Sequence, residues 1–164
     1  MSDILPPPIA IVWHSRTGAS LAMAEAVAEG AGASGLLIAA QQVEPEILAM
    51  ASAFVFVCPE NLGTMSGAMK EMFDRCYYPL FDQVAGRAYA TAIAAGSAGQ
   101  GAEAQIDRIV KGWRLRRVAD SLIINLNAQA PAEILARKIV PQSALLQCRE
   151  LGRAMAEGIR GGIF

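Results

Sequence analysis

Three hydroxyls, one guanidinium and one glycine fall within six consecutive residues, Ser15, Arg16, Thr17, Gly18, Ala19 and Ser20. They follow the apolar run IAIVW (9–13) and precede a helical pattern over Leu21–Gly32. Their backbone N–H groups therefore project from a helix N-terminus, where the first turn has no acceptors of its own. Such a terminus attracts anions, and Gly18 removes the side chain that would keep an anion from the backbone. A plain helix cap is the other use of Ser and Thr at this place. A cap needs one hydroxyl, not three, and the stretch reads as a phosphate site. It lacks the lysine and spacing of a Walker loop, which argues against nucleoside triphosphate hydrolysis.

Two further segments have loop chemistry. CPENLGTMSGAMKEMFDR (58–75) is rich in turn formers before a helix at Gly67, and Pro59, Glu60, Asn61, Leu62 and Gly63 shape an exposed loop with free amides. Ser66 is placed to cap that helix. Met69, Met72 and Phe73 read as its core side, with Met65 left outside the core. AGSAGQGAE (95–103) carries Ser97, Ala98, Gly99, Gln100 and Gly101, and Gly99, Gly101 and Ala104 match GxGxxA. A nicotinamide dinucleotide fingerprint also needs an acidic residue at the far end of the next strand. Asp120 instead opens its strand, so the match is weak.

The elements that would position these loops alternate. Strands are expected at 9–13, 35–40, 53–58, 88–95 and 120–125. Helices are expected at 21–32, 45–51, 67–76, 102–113 and 143–159, with an irregular excursion over 129–142. The strands are continuous apolar runs, as in a sheet covered on both faces. Alternation with helices implies crossover connections and a parallel sheet. The architecture expected is an α/β three-layer sandwich with a five-stranded parallel sheet. Ligands of such sheets bind outside the carboxyl ends of the strands.

Composition sets the outer bounds. The chain has 164 residues, 54% of them hydrophobic and 18% charged, consistent with one domain over 1–164 after a stiff lead-in over 1–8. A formal net charge of −1 without charged blocks leaves no footprint for nucleic acid. No run reaches the ~18 apolar residues needed to span a bilayer, and MSDILPPP is not a secretory signal. Cys58, Cys76 and Cys148 form no CxxC pair or zinc spacing and read as buried reduced thiols. A cytoplasmic protein with no membrane or nucleic-acid partner is expected.

Taken together, IVWHSRTGAS…MAEAVAEGA, CPENLGTMSGAMKEMFDR and RELGRAMAEGI resemble the short-chain flavodoxin-like family, which includes flavin-binding quinone reductases and FMN reductases. The likeness extends over nearly the whole chain. It implies strand order 2-1-3-4-5, with FMN across the three loops: phosphate on Ser15 to Ser20, ring bordered by Pro59 to Gly63, pyrimidine edge closed by Ser97 to Gly101. Ala19 stands where the family commonly has asparagine, a loss on the order of 1 kcal/mol against about 8 for micromolar binding.

Neither Leu62 nor Ser97 can stack on a flavin as Trp or Tyr does in electron carriers. This leaves Trp13, Tyr77 and Tyr78 to supply a ring from elsewhere, across a dimer, although Trp13 at a strand end is more simply core. An uncovered ring leaves room for a nicotinamide or quinone to lie parallel to it. The expected activity is therefore NAD(P)H-dependent two-electron reduction of a small-molecule acceptor. The alternatives are a flavodoxin-type carrier and a flavin-free binding module. No catalytic side chain is needed, because the chemistry belongs to the cofactor. His14 reads as a local hydrogen-bonding residue, and Arg16 as a partner for the phosphate, a reach toward NADPH or simply a solvated side chain. YYPLF (77–81) is either a dimer patch or packing under the next loop.

Overall fold

The computed structural model describes residues 7–164; part of the expected lead-in over 1–8 lies outside them. In chain order the elements are β1 (Ile9–Trp13), α1 (Ala19–Ala31), β2 (Gly35–Ala39), α2 (Pro45–Met50), β3 (Ala53–Asn61), β4 (Thr64–Met65) and α3 (Gly67–Cys76). They continue with β5 (Ala88–Ala95), α4 (Gln100–Gly112), β6 (Arg116–Arg117), β7 (Leu122–Asn125), α5 (Pro131–Leu135) and α6 (Gln142–Arg160).

The strands pair in parallel as β2-β1-β3-β5, and β5 receives β6 at one end and β7 at the other. The expected order 2-1-3-4-5 is present, with an outermost strand in two pieces. Expected as one run over 120–125, it begins at Leu122, and Arg116–Arg117 pair separately with Ala88 and Tyr89. Arg117 explains the break: its guanidinium turns to Asp107 and Glu103 on α4 and to Ser121, and lies over the Tyr89 ring. Beyond the Val118 N–H to Tyr89 carbonyl bond, side chains span the gap, with Ser121 bonded to Thr91 and Arg117.

Alternation along β3 separates two cores. Phe54, Phe56 and Cys58 face Met69, Met72 and Phe73 of α3 and Ile106 and Val110 of α4. Ala53, Val55 and Val57 face Met23 and Val27 of α1 and Leu151 and Met155 of α6. This double burial is why the strands lack polar alternation. Met65, expected outside the core, is buried with the first set. Its amide donates to Gln105 Oε1 at 2.8 Å, which ties β4 to α4.

Helices α1 and α6 cross at glycines. A Cβ on Gly152 would stand 1.9 Å from the Val27 carbonyl oxygen, and one on Gly30 would stand 1.9 Å from that of Arg149. Contact this close demands residues without side chains. In YYPLF, Leu80 is buried and Tyr77 stacks on Trp113, while Tyr78 and Phe81 are exposed. Gly152→Val is expected to force α6 off α1 at a cost of about 1–3 kcal/mol. That lowers the melting temperature by roughly 3–10 °C, measurable by circular dichroism.

Candidate functional site

Parallel pairing sends β1, β3, β5 and β7 to one edge of the sheet, and a cleft opens there. Its inner cavity, about 60 Å³, is lined by Ser15, Arg16, Thr17, Ala19, Ser20, Pro59, Glu60 and Asn61, with Ala94, Ala95, Gly96, Leu126, Ala128, Ile134 and Lys138. An outer cleft of about 300 Å³ continues from it along Leu62, Gly63 and Ser97.

The residues 15–18 turn is built around Gly18, which holds φ at +93°, a left-handed conformation suited to glycine. Its N–H donates to Ser15 Oγ at 3.1 Å, and its carbonyl accepts the first bond of α1, from Ala22 N at 3.1 Å. The helix therefore starts at Ala19, two residues before the expected Leu21, and takes no side-chain cap. Amides of its first turn stay open, as at any uncapped N-terminus. Ser20, 1% exposed, has a buried Oγ without a hydrogen-bond partner in the cleft wall. An orphaned buried hydroxyl beside open helix amides fits an anion such as a phosphate.

The N-terminus of α4 at the same edge is already filled. Glu60 Oε1 accepts from Gly99 N at 2.9 Å and Oε2 from Ala102 N at 3.1 Å. A carboxylate occupies the place where a GxGxxA turn would hold pyrophosphate, so Gly99 and Gly101 need another explanation. Gly99 holds φ at +101°, and a Cβ there would meet the Ile123 side chain at 2.5 Å; one on Gly101 would meet the Gly63 carbonyl oxygen at 2.0 Å. They are packing glycines. Ala98, Gly99, Gln100 and Gly101 line neither cavity, and Gly96 and Ser97 carry the wall that 97–101 was expected to form.

Pro59, Glu60 and Asn61 belong to β3, which runs past the expected end at Cys58 into a hairpin with β4. Leu62 (φ +53°) and Gly63 (φ +76°) form its two-residue turn, the double positive φ of a type I′ connection. For leucine this conformation costs about 1–2 kcal/mol. Its side chain is fully exposed at the cleft mouth.

His14 sits behind the residues 15–18 turn, its Nδ1 2.9 Å from Ser66 Oγ. Ser66 occupies the N-cap position of α3 but makes no side-chain cap bond; its hydroxyl joins the helix to the His14 segment instead. Burial, then the nearby Arg16, lowers the His14 pKa from its ordinary value. The cysteines are buried, and desolvation pushes Cys58 up to about 12 and Cys76 and Cys148 up to about 11. They are protonated at neutral pH and poor nucleophiles.

Sequence reasoning missed Gly96, Leu126, Ala128, Ile134 and Lys138. The last two come from the irregular 129–142 segment, in which α5 forms and the Lys138 amide donates to the Thr17 carbonyl at 2.9 Å. None of the described residues lining either cavity is aromatic. Among the described residues no helix is long and apolar enough to cross a membrane, and no group of three or more His, Cys, Asp or Glu could hold a metal.

A doubly covered parallel sheet with an open, hydroxyl-lined turn after β1 defines a protein of the flavodoxin-like class. The sequence model of the family described as NADPH-dependent FMN reductase matches residues 39–119. A flavodoxin from the domain Archaea superposes with a TM-score of 0.74 at 18% identity over 93% of this chain and 99% of that one. A WrbA-like flavodoxin from Agrobacterium tumefaciens gives 0.70 at 21% over 94% and 98%. A flavone reductase gives 0.70 at 14% over 93% and 63%. No curated protein matches the sequence. The chain has the flavodoxin-like fold, and the match over residues 39–119 supports an FMN-binding oxidoreductase.

Glu60→Ala is expected to cost about 1–3 kcal/mol, with faster hydrogen exchange at the Gly99 and Ala102 amides. His14 gives a pH test. Because its folded pKa is lowered, its stabilising contribution is full above the unfolded value near 6.5, and is lost as pH falls below it toward the folded value. Relative to the wild type, His14→Gln should flatten the decline of stability from about pH 7 to 5 in urea unfolding.

Proposed function

We propose that the chain is an FMN-dependent oxidoreductase that takes two electrons from NAD(P)H and passes them to a quinone, a free flavin or a similar small acceptor. The observation carrying this reading is the open α1 terminus with the orphaned Ser20 hydroxyl, set beside a cleft without aromatic walls. The residues fit the group. Ser15, Thr17, Ser20 and the first amides of α1 would hold the phosphate; Ala19 adds no side-chain bond there. Asn61, Leu62, Gly63, Gly96 and Ser97 would border the ring, with Pro59 and the Glu60 backbone beneath.

When bound, FMN supplies the hydride and electron chemistry. The protein's part is orientation and access. Leu62 and Ser97 both line the outer cleft, which has no aromatic side chain among its lining residues, so a planar nicotinamide or acceptor would have room for the parallel approach that hydride transfer requires. Glu60, engaged with α4, keeps the third loop's amides from competing for the anion. A carrier that docks on protein partners would be steered by surplus charge, which a net charge of −1 does not provide.

Titrating flavin-stripped protein into FMN and riboflavin tests the site. Saturable FMN binding at least about tenfold tighter than riboflavin is expected, and Thr17→Val should weaken FMN several-fold. Equal affinities would remove the phosphate assignment. The enzyme reading predicts bleaching of the FMN-loaded protein by NADPH or NADH under anaerobic conditions; an unchanged spectrum with both would overturn it.

A further inference from the structure

The inner cavity brings together Ser15, Thr17, Ser20 and one lysine, Lys138, among its lining residues. Lys138 lies far from the residues 15–18 turn in sequence but is pinned to it by its own backbone, since its amide donates to the Thr17 carbonyl at 2.9 Å. Its Nζ donates to the carbonyls of Ile134 at 2.8 Å and Ala136 at 2.6 Å. An ammonium group has three donors, so one remains for a ligand. Those two carbonyls hold the side chain half-buried rather than free in solvent. Arg16, by contrast, is an exposed residue at the tip of its turn.

Resting on the proposed function, we propose that Lys138 is a cationic ligand of the flavin phosphate and sets the preference for FMN over unphosphorylated flavin. An anion on the α1 terminus would satisfy the buried Ser20 hydroxyl, and would take the third Lys138 donor. Fixed in place before binding, the ammonium loses little further freedom when the anion arrives. The segment from Ala128 to Lys138 is then a strap that delivers charge, and its lock onto Thr17 couples strap position to turn position.

The test uses the whole chain, stripped of flavin, with FMN and riboflavin as probes in fluorescence titrations at low and high salt. Lys138→Gln is expected to lose about tenfold or more in FMN affinity with riboflavin unchanged, and to show a smaller loss of FMN affinity with added salt than the wild type. Lys138→Arg keeps the charge and should retain most of the FMN preference. Unchanged FMN affinity in Lys138→Gln would overturn the assignment and leave the phosphate site itself standing. Equal weakening of FMN and riboflavin would also overturn it, assigning Lys138 to holding the strap. Wild-type protein without FMN preference would remove the phosphate reading, and this inference with it.

Discussion

Val57 stands at the centre of the sheet, paired with Trp13 on one side and Ala92 on the other; Ala92 pairs onward with Leu122, and Trp13 with Ala39. All these pairings are parallel, and everything at the cleft follows from that constraint. Parallel neighbours cannot be joined by hairpins, so each crossover helix must return the chain to the far edge. The turns after β1, β3, β5 and β7 then converge at one edge, where four loops distant in sequence can build one concave surface.

That edge is divided electrostatically. Two long helices open there, and each offers partly positive amides. The α4 terminus is neutralised from within by Glu60, which also binds the β3–β4 hairpin to the third loop. The α1 terminus has no internal anion, and cationic Arg16 and Lys138 share its cavity. One carboxylate thus makes the two termini inequivalent, and directs an incoming anion to a single place.

The strands and the open terminus after SRTGAS were legible because both are local signals: unbroken apolar runs mark doubly buried strands, and clustered hydroxyls before a helix mark an uncapped start; the strand order came from the family resemblance. Three features were not legible. Glu60 reads as a loop residue, since nothing in its neighbourhood reveals that its acceptors are the amides of Gly99 and Ala102. The split fifth strand depends on where Arg117 finds its carboxylates, a tertiary matter. Lys138 lay inside a segment recognised only as irregular, and its tie to Thr17 is a single long-range backbone hydrogen bond. The GxGxxA match, weak in the sequence for want of an acidic partner, is shared by phosphate turns and by close packing, and the Glu60 carboxylate, the Ile123 side chain and the Gly63 carbonyl mark it as packing.

The glycine crossing of α1 and α6 has a consequence for how the chain is made. Helix α1 forms early, yet the partner for its buried face is α6, the last element described. At roughly 5–20 residues per second, the Met23 and Val27 face waits several seconds or more for Leu151 and Met155 to leave the ribosome. Until α6 arrives, α1 covers its side of the nascent sheet alone and leaves part of that face open, which makes this interval a period of exposure to misassembly and to chaperones.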